Sequence, residues 1–514
     1  DSKEKIFSPD EARAKGKVVL LINNGIHPGE PDGIDASMLF VRNVVQNKVI
    51  NHFSGQPFDN LLNRAVLIVI PAYNVDGVLN RNNFTRVNQV GPLEYGFRGN
   101  GENRDLNRDF IKCDTKNAMA FVTLFREWKP ELFVDTHTTD GADYPYKMTY
   151  IATLDDKLEE PLSSYMTGTL IPCLEEDMKK KNQEMFPYVV TYKSTPDSGI
   201  IQFSESPRYS TGYAALFNTI GFVSESHMLK THEERVIATY EFLVSLLRIA
   251  NNDADLIISN KRIADANTMQ NFEHILSWKL DEDNPSKIFF KGYETGYKPS
   301  TISGFDRLYY DKSRSYEKEI NYYDNYSPLI KIVKPLAYIV PQAWWQVIDR
   351  LKLNGVSMKR LETDREFYTE TYYIESFDTR SSPFEGHYLH SNVRLNVTKQ
   401  KRKFFAGDYL IYTNQSCDNF TVHVLEPQSV DSYFCWNFFD AILQQKEYFD
   451  PYLFEDIADS LLNSKSGLKE RFNSIKASDE KFRNNGYAQL KFIYDNTILE
   501  PEFMRYPVAR VIAE

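Results

Sequence analysis

The sequence predicts an α/β domain in its first half and a mainly β second domain with helical segments behind it. Two observations carry this. Between residues 17 and 250, apolar strand-like runs alternate with helix-like stretches, the pattern of an α/β layer. Beyond Ile288 the texture changes to aromatic and β-branched runs, as at 336–340, 367–374 and 409–412. At 514 residues the chain is too long for one ordinary domain. We therefore divide it at the polar stretch 251–284, read as a continuing helix and then a linker, into domains 1–270 and 271–514.

In order, 18–22, 65–70 and 132–137 read as strands, and 34–46, 116–128 and 233–250 as helices. Residues 74–113 form a long loop rich in Asn, Arg and Gly, and such loops in compact domains are usually functional. In the second half, Trp344, Trp345, Ile348 and Leu351 recur at helical spacing and read as core. The segments 431–443 and 451–477 also read as helices.

The most informative segment is Asn23-Asn24-Gly25-Ile26-His27-Pro28-Gly29-Glu30, directly after the apolar run 18–22. A straight strand would send His27 and Glu30 to opposite faces, but a Gly/Pro turn can bring them onto one metal ion. Zinc suits a few N/O ligands with a position left for water. A second His-x-x-Glu, His423 to Glu426, lies in the β-branched run 420–425 with no turn, so its side chains should diverge as ordinary strand residues. A third ligand is offered by His137, where the run 132–137 ends in polar loop; strand ends of open α/β sheets tend to converge. Between these candidates lies Asn103-Arg104-Asp105-Leu106-Asn107-Arg108-Asp109-Phe110, dense in groups that grip a carboxylate.

Taken in order, His27/Glu30, Asn74-Val75-Asp76-Gly77, Asp105-Leu106-Asn107-Arg108, His137 and Glu225 resemble the motifs of the zinc metallocarboxypeptidases of the carboxypeptidase A-like superfamily, over about residues 17–250. The resemblance implies a mixed open sheet with helices on both faces. It implies one Zn²⁺ per chain on His27, Glu30 and His137, with Glu225 as general base and Glu205 as its rival. Asp105 would orient His27, and Asn107 and Arg108 would hold the substrate's terminal carboxylate. The oxyanion arginine would be Arg98, or alternatively Arg86, and Tyr209 would sit on a mobile loop over the substrate. The implied substrate is a peptide or peptide-like molecule with a free carboxylate, and the implied setting is secreted or periplasmic. Two other readings stay open: an amidohydrolase of N-acyl amino acids or cell-wall peptides, which shares these motifs, and an inactive domain kept for binding.

Composition sets limits. A net charge of −11 argues against a nucleic-acid partner, since no basic face would attract phosphate. No run of 18 apolar residues is present, so no membrane span is expected. The four cysteines, Cys113, Cys173, Cys417 and Cys435, lack CxxC spacing, and a Cys417–Cys435 bridge is left open. Glycosylation sequons at Asn83, Asn396, Asn414 and Asn419 decide nothing without the source. Side-chain specificity and oligomeric state are not written in the sequence.

Overall fold

The computed structural model describes residues 8–50, 57–58, 60–497 and 502–513. Its first half carries β1 (Val18–Asn24), β2 (Ala65–Ile70), β3 (Leu132–Thr139), β4 (Met148–Ala152), β5 (Met185–Pro187), β6 (Val190–Thr191), β7 (Ile200–Ile201) and β8 (Ile220–His227). The main sheet has the order β2-β1-β3-β8-β4-β5. The strands β2, β1, β3 and β8 are mutually parallel, while β4 runs antiparallel to β8 and carries β5 with it. The sheet is thus mixed, as expected.

β1, β3 and β8 are buried along their whole length, because both faces of the sheet are covered. Strand alternation sorts the side chains. Val18, Leu20, Ile22, Leu132 and Val134 pack with Phe40 of the Asp32–Val45 helix and Phe242 of the His232–Asn252 helix. Leu21 and Phe133 point to the other face, against Phe121 and Phe125 of the Lys116–Trp128 helix. The same core continues into the second half through Val347, Ile348, Phe420, Phe434 and Trp436.

The second half contains β9 (Glu273–Leu280), β10 (Ser286–Pro299), β11 (Asp306–Tyr323), β12 (Tyr326–Val333), β13 (Ala337–Val340), β14 (Lys359–Arg360), β15 (Arg365–Thr379), β16 (His390–Phe404), β17 (Tyr409–Tyr412) and β18 (Ala509–Ala513). A six-stranded antiparallel sheet has the order β14-β17-β13-β18-β15-β16. The β10–β11 hairpin joins β7 and β6 of the first half in one four-stranded sheet. Helices Pro451–Ser464, Leu468–Ser478 and Gly486–Thr497 share a small core of their own.

Four local expectations are corrected. The stretch 251–284 holds the expected helix, Ala254–Gln270, but it is followed by β9 in place of a linker. The alternation of buried His274 and Leu276 with exposed Glu273 and Lys279 is short and polar, so that strand read as linker. Residues 420–425 are helical, within Asp418–Leu425, and every residue from Phe420 to Leu425 is buried. Burial on all sides overrides the β-branched preference there. Residues 431–443 are mostly turns, broken by Asp431 and Asn437 at φ 69° and 66°, with only Asp440–Leu443 helical. The Trp345–Leu353 helix buries Ile348 and Leu351 but leaves Trp345 exposed, so its stripe is only partly core. All four cysteines are free thiols.

Candidate zinc centre and substrate grip

β1 ends in a turn that Gly25 opens at φ 66°, where a side chain would be strained. The Glu30 amide then donates to the His27 carbonyl at 2.8 Å, which folds the two side chains together. β3 lies beside β1, with Thr136 opposite Asn24, and so delivers His137 to the same place. One ligand atom from each of His27, Glu30 and His137 lies within 4.8 Å of the others, and all three residues are buried. His137 Nδ1 is 3.0 Å from Glu30 Oε2, and His27 Nδ1 is 3.4 Å from Glu30 Oε1. Burial would raise the Glu30 carboxyl, but the Arg86 guanidinium and the two imidazoles outweigh it and hold it well below the usual range.

Each imidazole is backed by a carboxylate at its other nitrogen. His27 Nε2 lies 2.9 Å from Asp105 and His137 Nε2 lies 3.2 Å from Asp135, itself held by Asn23 Nδ2 at 3.1 Å. This turns both Nδ1 atoms toward the shared space, and His27 Nδ1 is buried there without a hydrogen-bond partner. Two carboxylate-backed imidazoles and one carboxylate are a donor set that fits zinc. Asp105, which the family resemblance assigns to orienting His27, is the carboxylate at His27 Nε2. Asp135 was missed, although its i, i+2 relation to His137 on a strand puts both on one face and could have revealed it.

Glu225 lies directly opposite His137 in the β3–β8 pairing. Burial pushes its carboxyl up to about 8, with His137 pulling against this and Glu30 and Glu205 adding to it. The rival Glu205 is already committed: its carboxylate accepts from the Thr211 amide at 2.8 Å and from the Thr211 hydroxyl. Glu234 closes a capping box with Thr231 at the start of the His232–Asn252 helix.

Both candidate arginines reach the centre. Arg98 Nε donates to Asp105 at 2.9 Å and its Nη1 stands 3.7 Å from Glu30. Asn74 fixes Arg98 by donating from Nδ2 to its carbonyl at 3.0 Å, while the Asn74 side-chain Oδ1 caps the next turn by accepting from the Gly77 amide. Arg86 donates to Glu30 at 2.8 Å and to the Thr138 carbonyl at 3.4 Å. Arg86 is thus tied to a ligand, whereas the Arg98 side chain keeps 46% of its surface open.

Asp105 also caps the short turn Leu106–Arg108, accepting from the Asn107 amide at 2.9 Å. Asn107 Oδ1 is buried and unpartnered. Arg108 lies 4.3 Å over the Tyr209 ring, so the turn and the Tyr209 loop meet.

Residues of the second half brace both loops, and no local signal marked them. Glu385 accepts from the Asp105 amide at 2.8 Å and its carbonyl accepts from Arg104. Asp114 is held by His387 at 2.7 Å and Arg350 at 3.0 Å. Asp431, fully buried, accepts from the Arg208 amide at 3.1 Å and from Arg208 Nε at 2.7 Å, with Trp436 beneath that guanidinium.

Solved structures similar to this chain include a metallo-carboxypeptidase from Pseudomonas aeruginosa, at 13% identity and TM-score 0.33 over 46% of this chain and 58% of that one. Another, a metallo-carboxypeptidase from Burkholderia cenocepacia, shows 16% identity and TM-score 0.32 over 45% of this chain and 56% of that one. The chain spans under two thirds of either. Among curated proteins, Carboxypeptidase 2 of Trichophyton rubrum is 19% identical over 452 residues, covering 81% of this chain and 73% of that protein. Carboxypeptidase 2 of Trichophyton equinum is 20% identical over 444 residues, covering 82% and 74%. Residues 4–205 match the family model described as zinc carboxypeptidase. His27, Glu30 and His137 gather inside that matched segment, so residues 4–205 carry a zinc carboxypeptidase domain.

Proposed function

We propose that this chain is a zinc-dependent carboxypeptidase that hydrolyses the last amide bond of a peptide with a free C-terminal carboxylate. The observation that carries the reading is the pairing of Glu225 with His137 beside the His27–Glu30–His137 cluster, with Arg108 nearby to anchor a carboxylate. Zinc, when bound by these three residues, supplies Lewis acidity and a water of lowered pKa. Arg108 and Asn107 hold the terminal carboxylate, the guanidinium offering paired hydrogen bonds. Glu225 takes a proton from the attacking water on its carboxylate and returns it to the leaving nitrogen. Arg98 donates to the carbonyl oxygen as negative charge grows there. Tyr209 closes over the bound residue from the facing loop.

We further infer that residues 1–270 form the catalytic unit and that 271–514 act as its brace, a reading supported by Glu385, His387, Arg350 and Asp431 on the substrate-side loops. A secreted or periplasmic setting, implied by the family resemblance, belongs to the same proposal. No helix among the described residues is long and apolar enough to cross a membrane.

The test combines zinc content with peptide cleavage on one purified sample, read by mass spectrometry with and without chelator. Chelator-sensitive loss of single C-terminal residues, with zinc at one per chain, is the expected result. Cleavage of N-acyl amino acids but not of peptides would replace the peptidase with an amidohydrolase.

A further inference from the structure

A cavity of about 500 Å³ lies away from the zinc centre, between the Asp155–Lys157 turn, the Ser210–Ala215 helix, β9 and the Asp418–Leu425 helix. Neither the metal ligands nor Glu225 line it. Its size is that of a small-molecule site, and its walls come from both halves of the chain.

The polar groups inside are sorted by charge. The Lys157 ammonium donates to the Glu205 carbonyl and stands 5.4 Å from the Trp278 ring. Nearby, Trp278 Nε1, Ser277 Oγ and His274 Nε2 are buried without hydrogen-bond partners. His274 and Ser277 are 95% and 93% buried, since their exposures are 5% and 7%. His274 Nδ1 bonds Asn419 Oδ1 at 2.9 Å, so Nδ1 carries the proton and Nε2 is left as an acceptor. Three buried, unpaired polar atoms on residues that line one cavity call for a partner, because burial without one is costly. The lining also includes carboxylates, and those of Asp156, Glu160 and Glu273 are on exposed residues at the solvent side. Leu158, Leu216, Leu276 and Val422 supply apolar wall.

We propose that this cavity is a second binding site, separate from the zinc centre, for a zwitterionic free amino acid with an apolar or aromatic side chain. Its carboxylate faces Lys157 Nζ, Trp278 Nε1–H and Ser277 Oγ–H; its ammonium faces the acidic rim and His274 Nε2; its side chain lies on the leucine wall. The placement satisfies both charges of the ligand and the orphaned groups of the protein at once. Lys157 would also carry the occupant's presence to Glu205, whose carboxylate holds Thr211 two residues beyond Tyr209.

The experiment is calorimetric titration of the zinc-loaded full chain with L-phenylalanine. The parent and Arg108→Met should bind alike. Lys157→Met and Val430→Trp, the latter placing an indole at a lining residue that is 42% exposed, should weaken binding about tenfold or more, as loss of a charge-assisted contact or of space implies. N-acetyl-L-phenylalanine and L-phenylalaninamide, each lacking one charge, should bind at least about tenfold more weakly than the amino acid. Thermal unfolding of the variants, matched to the parent, excludes misfolding. No binding by the parent at millimolar ligand overturns the proposal. So does binding lost in Arg108→Met and kept in Val430→Trp, which would seat the ligand at the substrate grip.

Discussion

Glu225 and His137 occupy paired positions on neighbouring parallel strands, so the backbone sets the proposed base beside a candidate ligand without help from any loop. Burial leaves Glu225 a carboxyl that holds a proton more readily than an exposed glutamate would, which suits a group that must take a proton and give it back. Glu225→Gln should keep zinc and lose about 10²–10⁴-fold in turnover, measured as initial rate and metal content on the same sample. Unchanged turnover in that variant would refute the assignment. Asp135 works through His137: it fixes which imidazole nitrogen faces the metal space. Asp135→Asn should weaken zinc binding about 10–100-fold in a competition titration with a chromogenic chelator.

At the scale of elements, the long loop 74–113 is ordered by groups planted on its neighbours. Arg235, fully buried on the His232–Asn252 helix, donates to the Val90, Gly91, Met228 and Lys230 carbonyls while its Nε bonds Asp32 at 2.8 Å. One guanidinium therefore joins that helix, the loop and the first turn of the Asp32–Val45 helix. His232 adds a charge-dependent tie. Hydrogen bonds donated to Asp32 at 2.6 Å and to Asp35 at 3.0 Å raise its pKa from 6.5 to about 9. A raised histidine favours the fold fully below its unfolded pKa, and the contribution fades as pH climbs through the folded value. Stability to urea should thus decline between about pH 6.5 and 9 in the parent. His232→Gln should flatten that decline; an equal decline in the variant would assign it to other groups.

At the scale of the molecule, the two halves share a core and meet at the substrate loops. The Asp431–Arg208 pair is buried on its acidic side, and removing one partner of such a pair strands the other charge. Asp431→Ala should cost about 3 kcal/mol in urea unfolding and disturb the loop carrying Tyr209. Glu385→Ala breaks the bond to the Asp105 amide and leaves the backbone carbonyl that accepts from Arg104 in place. Its expected effect is roughly a tenfold drop in kcat/KM with zinc content unchanged, since the turn that aims Asn107 and Arg108 loses a charged acceptor. A parent-like kcat/KM would mean that the brace does not reach the chemistry.

The sequence by itself determined the pieces whose causes are local. The apolar runs 18–22 and 132–137 could only be covered strands, and a Gly/Pro turn after the first could only bring His27 and Glu30 together or leave them idle. Ordered motifs then named His137, Asp105, Asn107, Arg108 and Glu225 before any coordinate did. Only the tertiary structure showed what Arg98 and Arg86 touch, one Asp105 and the other Glu30. It alone revealed that 420–425 is a buried helix, because propensity yields when every side chain of a segment is enclosed. It alone placed Glu385 against Asp105, 280 residues away. Contacts at that separation arise from how sheets and helices pack, and no local pattern of residue types encodes them.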